Sequence, residues 1–137
     1  MKDEDAWVRS SAAKALGHLG AVEEATQALR EALKDKDASV RESAAEALGR
    51  LGAADDQTLQ ALREALKDEF SLVRISAAEA LRRLGAADDQ TLQALREALK
   101  DEDSWVRRSV AEALGSLGAA DDQTLQALRE ALRDKKA

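Results

Sequence analysis

The chain repeats itself at a fixed interval, and this limits the folds open to it more than any other feature. Three consecutive units of 33 residues share most of their sequence: residues 35–67, 68–100 and 101–133. A block of sixteen residues recurs in them without change, at 51–66, 84–99 and 117–132. The first unit, residues 3–34, is one residue shorter. Such a period predicts a stacked repeat architecture, and we expect one repeat domain over residues 1–137.

The first half of each unit has the pattern of an amphipathic helix. In the second unit Asp37 is a good N-cap and Gly52 a good C′ residue, so we expect a helix over residues 38–51. Apolar residues recur on one side at helical spacing and predict its buried face: Val40, Ala44, Ala47, Leu48 and Leu51. A second stripe, roughly opposite or flanking the first, is mostly polar: Ser39, Glu42, Ser43, Glu46 and Arg50.

The second half of each unit predicts another helix, capped by Asp55 or Asp56 and running to about Lys67. Its apolar side consists of Leu59, Leu62, Ala65 and Leu66. We expect its polar residues to face water: Gln57, Gln60, Arg63, Glu64 and Lys67. Because neither helix can bury its apolar stripe alone, pairing within a unit and stacking of units are required. The expected fold is therefore all-α, a right-handed α-solenoid of stacked antiparallel helix pairs with about eight helices.

Composition excludes several kinds of function. The formal charge is −6, with 21 basic and 27 acidic residues, which argues against nucleic acid or an anionic membrane as a partner. No run of 18 apolar residues exists, and there is no cysteine. His18 is the only histidine, so no zinc site can form around it, and no catalytic motif is present. We expect no cofactor and no enzymatic activity in a soluble protein suited to recombinant cytoplasmic expression.

At this point the residues resemble a known family. The segment 101–118 has the pattern Asp-Glu-Asp-x-x-Val-Arg, followed by an alanine-rich run that ends in Leu-Gly-x-Leu-Gly. This run resembles the second helix of HEAT-like repeats of the phycobilin-lyase type, and still more their engineered consensus form, the alphaRep artificial binder libraries. Val110 departs from the run, and the unit is about two residues longer than the library unit. The resemblance covers essentially the whole chain.

The resemblance also implies a binding surface. In the library design the variable positions of this helix are randomised and line the concave face of the solenoid. Transferred to this chain, the first two units contribute Ala6, Trp7, Ser10, Ser11, Lys14, His18, Ala38, Ser39, Glu42, Ser43, Glu46 and Arg50. The last two contribute Ser71, Leu72, Ile75, Ser76, Glu79, Arg83, Ser104, Trp105, Arg108, Ser109, Glu112 and Ser116. Periodicity by itself selects the same stripe.

Large apolar side chains single out part of this stripe. Trp7, Leu72 and Trp105 share one repeat position, which Ser39 fills in the second unit. Phe70 stands where the other units have an aspartate N-cap, a change that usually costs about 1 kcal/mol. Ser71 could take over the cap, or Phe70 could simply cover the helix start. We expect exposed anchors for a partner at these positions, with packing between repeats as the alternative.

Constant charged residues predict links between units. We expect an inter-repeat ladder of ion pairs that joins Arg9, Arg41, Arg74 and Arg107 to Asp35, Asp68 and Asp101. Arg82 replaces a glycine that the other units carry at Gly17, Gly49 and Gly115, and with Arg83 it forms a small basic spot. This spot is either a partner contact or a solvated pair.

Three functions remain open from the sequence. The first is an engineered binding module whose concave face recognises a folded protein, favoured because Gln57, Gln60 and Arg63 are identical in three units without an evident reason. The second is a consensus scaffold that associates with its own copy, as a homodimer or end to end through surfaces around Val8 and Leu125. The third is a fragment of a natural HEAT-repeat adaptor.

Overall fold

The computed structural model describes residues 3–19 and 22–133, and the regular secondary structure in these ranges is entirely α-helical. Eight helices are present there: α1 (Asp3–Leu19), α2 (Val22–Ala32), α3 (Ala38–Leu51), α4 (Asp56–Ala65), α5 (Ser71–Leu84), α6 (Asp89–Ala98), α7 (Ser104–Ser116) and α8 (Asp122–Ala131). The odd helices stack in one row, and α2, α4 and α6 each pack chiefly against the odd helix that follows. The predicted all-α solenoid of helix pairs is confirmed.

The predicted helix boundaries in the second unit are confirmed by their caps. The Asp37 side chain accepts a hydrogen bond from the Ser39 backbone N–H, and Gly52 adopts a left-handed conformation with φ of 74°. Asp55 is the cap of α4 and accepts from the Thr58 backbone N–H, while α4 ends at Ala65, two residues before the predicted end. The first unit differs, because Asp5 lies inside α1 rather than at its N-cap.

A contiguous apolar core runs between the two rows of helices. The predicted inner residues of α3 are buried except Leu51, which is half-buried and packs against the core. In α4, Leu59, Leu62 and Ala65 are buried, and Leu66 beyond its end is buried as well. The same positions recur in the third unit, so the core is one repeated set of contacts.

Glycine lets the odd helices approach until their backbones almost touch. A Cβ added to Gly17 would lie 2.8 Å from the Ala47 Cβ, and one added to Gly49 would lie 2.9 Å from the Ala80 Cα. Real Cβ atoms do not come this close to other carbons, since carbon atoms pack at about 3.5–4.0 Å. Glycine is therefore required at the present helix spacing.

The third unit breaks this rule. Arg82 occupies the glycine position of α5, so α5 and α7 cannot approach there as closely as α3 and α5 do at Gly49. Val110, one turn before Ala113 in α7, replaces the smaller alanine of the other units and is nevertheless fully buried. The Val110 side chain fills space between α5 and α7 that would be absent if these two helices packed as closely as α3 and α5.

The even helices stand farther apart than the odd ones. Open grooves separate them, and the groove between α2 and α4 has a volume of about 470 Å³. A stack whose units are closer on one side curves toward that side. The closer packing of the odd helices fits the expectation that they line the concave side of the solenoid. We refer to the face formed by their outward-facing residues as the inner surface.

Two ladders of polar contacts join successive units. In the first, Arg9 contacts Asp35 at 2.7 Å and Arg41 contacts Asp68 at 2.7 Å. Arg74 continues the series with Asp101 at 2.8 Å, which confirms the predicted inter-repeat ion pairs. Each of these contacts joins an odd helix to the segment that precedes the next odd helix.

The second ladder was not predicted. Arg63 was expected to face water, but its side chain is only 18% exposed. Its Nη1 donates to the Thr91 hydroxyl of the next unit at 3.2 Å and lies 3.6 Å from Asp88. Arg30 and Arg96 make the same contacts in the units before and after. Thr91 is fully buried, so this arginine is an inter-repeat link.

Candidate functional site

The inner surface of the odd helices exposes large apolar side chains at one repeat position. Trp7 is 68% exposed, Leu72 59% and Trp105 62%. Leu72 and Trp105 are the second residues of α5 and α7, and a buried valine follows each of them. Successive residues of a helix point in different directions. Burial of the valine therefore leaves the preceding apolar side chain exposed to solvent.

The serine in the second unit shows that the fold does not need an apolar residue here. Ser39 fills the same position of α3, is exposed, and bonds through its hydroxyl to Asp37 at 2.6 Å. Helix α3 forms over the same length as α5. Packing between repeats therefore does not explain Leu72 and Trp105.

Phe70 is the N-cap residue of α5 and makes no side-chain capping bond. The expectation that Ser71 could take over the cap is wrong, because Ser71 is already the first helical residue. The Phe70 ring is 51% exposed, and its other face lies under the Arg41 guanidinium at 5.7 Å from the ring centre. Phe70 thus shields the Arg41–Asp68 ion pair on one side and faces solvent on the other.

Trp105 has a neighbouring cation of its own. The Arg108 guanidinium lies 5.6 Å from the centre of the indole ring, within the range of a cation–π contact. Arg108 also lies 3.6 Å from Glu112, one helical turn further on. These contacts restrict the indole while leaving most of its surface open. We refer to Phe70, Leu72 and Trp105 as the apolar cluster.

Charged residues on the same surface neutralise one another within each helix. Arg50 lies 3.7 Å from Glu46, and Arg83 lies 3.8 Å from Glu79. Arg82 also donates to Glu79, and this hydrogen bond lowers the pKa of the Glu79 carboxyl. Exposed pairs of this kind contribute only about 0.3–0.5 kcal/mol to stability. The surface therefore carries little net electrostatic potential. The basic residues Arg82 and Arg83 are both paired with Glu79.

Some predicted site residues lie between helices rather than on the open surface. Ser10, Glu42, Ile75 and Glu79 are half-buried. The Ser10 hydroxyl is hydrogen-bonded to that of Ser43 in the next odd helix at 2.5 Å, and Ile75 packs against the core. Ile75 was expected on the open face with the other variable positions, but its side chain packs against the core and is only partly exposed.

The remaining predicted residues are exposed: His18, Ser39, Arg50, Arg83, Arg108 and Glu112. Within the described residues no group of three or more potential metal ligands occurs, and no helix there is long and apolar enough to cross a membrane.

Further open grooves lie away from this surface, between the even helices. They are lined by polar side chains that recur from unit to unit, such as Gln60, Glu64 and Gln93. Neither these grooves nor the arginine–threonine ladder beneath them was predicted. The exact repetition of Arg63 was the available signal for the ladder, since a solvated arginine has little reason to be constant.

Comparison with known proteins agrees with this architecture. The family model of HEAT repeats matches residues 1–82 and 59–137, which together span the chain. An engineered protein whose crystal structure was determined by the Northeast Structural Genomics Consortium has the same fold, with a TM-score of 0.60 and 23% sequence identity. The match covers 95% of this chain and 64% of that one. No curated protein sequence matches. The chain belongs to the HEAT-repeat family.

Proposed function

We propose that the chain is an engineered HEAT-repeat binding module whose concave surface recognises a folded protein. The observation that carries this proposal is the exposure of the apolar cluster. Leu72 and Trp105 occupy a position where the fold accepts Ser39, and Phe70 occupies one that Asp37 fills in the second unit. Large aromatic and aliphatic side chains in a partly exposed group are typical anchors of protein interfaces. Concave solenoid surfaces are used in this way because neighbouring units present aligned side chains.

The proposed mechanism is association with a surface that is already ordered. The cluster residues lie at the start of α5 and α7. The residues that follow Leu72 and Trp105, which are Val73 and Val106, are buried. Few side chains would therefore lose conformational freedom on binding. Immobilising one flexible side chain costs about 0.5–1.5 kcal/mol of binding free energy, and an ordered surface avoids this cost. Since the surface charges are already paired, shape and apolar contact would select the partner more than net charge would.

A pull-down with matched variants tests the binding surface. The surface variant carries Phe70→Ser, Leu72→Ser and Trp105→Ser, and leaves Ile75 unchanged because it packs against the core. We expect the wild type to retain a protein that the surface variant loses, with equal helical content by circular dichroism. Loss of helical content instead would show that the cluster stabilises the fold.

The control variant removes exposed apolar residues that lie outside the surface, Leu125 and Leu132, by substitution with serine. We expect it to retain the same protein as the wild type. Equal retention by all three chains would contradict the proposal, because the apolar cluster would then make no contribution.

Intrinsic fluorescence offers a direct second measurement with the purified partner. The chain has two tryptophans, and both lie on the proposed surface. Trp7→Phe leaves Trp105 as a single reporter inside the apolar cluster. A saturable blue shift on titration is expected, since a bound protein removes water from the indole.

Engineered origin rests on a separate observation. Gln57 and Gln60 are exposed, yet the third and fourth units carry the same residues at their equivalents. Arg63 no longer supports the argument, because its link to the next unit explains its constancy. A gene assembled from synthetic cassettes would show shared codons across the three identical blocks. Independently drifted synonymous codons would contradict an engineered origin.

A second candidate function is a scaffold that associates with its own copies. The observation in its favour is the exposure of core-type residues at both ends of the stack, such as Val8 and Leu132. Light scattering over a range of concentrations tests this function, and a strict monomer at high concentration would contradict it.

A further inference from the structure

The first helix exposes residues that every later unit buries. Val8 is 66% exposed, whereas its equivalents Val40 and Val73 are each 1% exposed. Ala15 is exposed as well, and its equivalent Ala47 is 1% exposed. The later units differ in having a preceding odd helix packed on this side. We call this side of α1 the leading surface.

The last unit has the opposite pattern. Leu125 is 41% exposed and its equivalent Leu59 only 9%. Leu132 is 87% exposed, against 4% for Leu66. Within the described residues no further helix pair packs on this side of α8. We call this side of α7 and α8 the trailing surface.

The two surfaces carry the two halves of one contact. Inside the stack, a glycine of one odd helix meets an alanine of the next, as Gly49 meets Ala80. Gly115 on the trailing surface has no atom within 4 Å of an added Cβ. Ala15 on the leading surface is the equivalent of Ala80 and is exposed. A second copy would bring Gly115 and Ala15 together in the register that the chain already uses.

We propose that the chain associates head to tail, with the trailing surface of one copy packed on the leading surface of a second copy. The contact would continue the internal stack, with α1 of the second copy following α7 of the first. It rests on the second candidate function, association between copies, and specifies its geometry. It does not depend on the protein-binding function, because Val8 and Leu125 do not belong to the apolar cluster. Such a contact is heterologous, so association can extend beyond a dimer.

The contact between copies would be more apolar and weaker than the internal ones. Internal interfaces include the arginine–threonine ladder, and Arg129 is the next arginine of that series. The first unit has Val22 and Ala25 where later units have the acceptors Asp55 and Thr58. Arg129 would therefore gain no equivalent partner, and association would rest on burial of leucine, valine and alanine.

Two substitutions, each placed on one surface, test both the contact and its polarity. Val8→Glu blocks the leading surface and Leu125→Glu the trailing surface. Sedimentation equilibrium from micromolar to millimolar concentration is expected to show concentration-dependent association of the wild type. Each variant alone is expected to stay monomeric, because every head-to-tail contact needs both surfaces.

An equimolar mixture of the two variants gives the decisive result. One variant retains its trailing surface and the other its leading surface, so the mixture is expected to form a one-to-one dimer and nothing larger. If one variant still self-associates, the contact pairs identical surfaces and head-to-tail polarity is wrong. A wild type that stays monomeric at millimolar concentration also overturns the proposal.

Two controls separate this test from folding and from partner binding. Circular dichroism should show equal helical content in both variants, since Val8 and Leu125 already contact water. Trp105→Ser should associate as the wild type does, because Trp105 lies on the concave surface. If Trp105→Ser abolishes association, the contact involves the concave surface, and the end surfaces are not responsible.

Discussion

The close approach of the odd helices makes opposite predictions for one substitution at two equivalent positions. Gly49→Ala adds a methyl group where α3 meets α5, and Gly115→Ala adds the same group at the open side of α7. Both glycines lie inside helices at ordinary backbone angles. Alanine is favoured over glycine in a helix by about 1 kcal/mol, so both variants gain this contribution.

The packing contribution differs between the two sites. At Gly49 the new Cβ would lie 2.9 Å from the Ala80 Cα and 3.2 Å from the Ala80 Cβ. Restoring normal carbon contacts requires α3 and α5 to separate by roughly 0.5–1 Å. Overpacking of this kind costs about 1–3 kcal/mol, which exceeds the helix contribution. We expect Gly49→Ala to destabilise by about 1 kcal/mol and Gly115→Ala to stabilise by up to about 1 kcal/mol.

Chemical unfolding followed by far-ultraviolet circular dichroism measures this difference of about 2 kcal/mol between the variants. Repeat arrays can depart from two-state behaviour, so hydrogen exchange should be measured as well. We expect faster exchange in α3 and α5 of Gly49→Ala and unchanged or slower exchange in α7 of Gly115→Ala. If both variants are stabilised equally, glycine at position 49 is not required by close approach, and the account given for Arg82 is wrong as well.

Three further predictions follow from the caps and the ladders. Arg96→Ala should destabilise by about 1 kcal/mol in urea unfolding because it removes an inter-repeat link. Arg129 is exposed, so Arg129→Ala should change stability by less than about 0.5 kcal/mol. Hydrogen bonding from Arg9 lowers the pKa of Asp35. The stabilisation that Asp35 contributes is therefore fully present above the ordinary aspartate pKa of about 3.9, and it is lost as the pH falls through the lower folded-state pKa. Asp35→Asn should make the free energy of unfolding depend less on pH below about pH 4. Phe70→Asp should restore the helix cap and raise the urea midpoint, because a cap contributes about 1 kcal/mol and the lost cation–π contact about 0.5 kcal/mol; an unchanged or lower midpoint would show that the ring stabilises the fold.

The candidate surface could be predicted in part from the repeat pattern. Comparison of units identified Leu72 and Trp105 as replacements for Ser39, and the structure places these side chains in water. A role in binding stays a prediction for each of them. Ile75 was harder to place, because it occupies a helix angle between the open surface and the neighbouring helix. Only the position of that neighbour decides how much of its side chain is covered.

The sequence by itself determined the helices, their caps and their apolar stripes. Asp37, Gly52 and the period of Val40 and Leu48 act within one helix, so local geometry suffices to interpret them. The inter-repeat pairs of Arg41 were also accessible, because a constant arginine and a constant aspartate recur at the same interval.

Only the tertiary structure decided how the units contact one another. Arg63 has the local pattern of a solvated residue, yet the next unit brings Thr91 and Asp88 within its reach. The sequence pattern around Gly49 does not indicate a packing role, and only its short distance to Ala80 shows one. Both depend on the spacing between helices, which is set by packing across units and not by any property of one helix. For the same reason, Val8 and Val40 share a local sequence pattern but differ in exposure, since only one of them has a preceding unit.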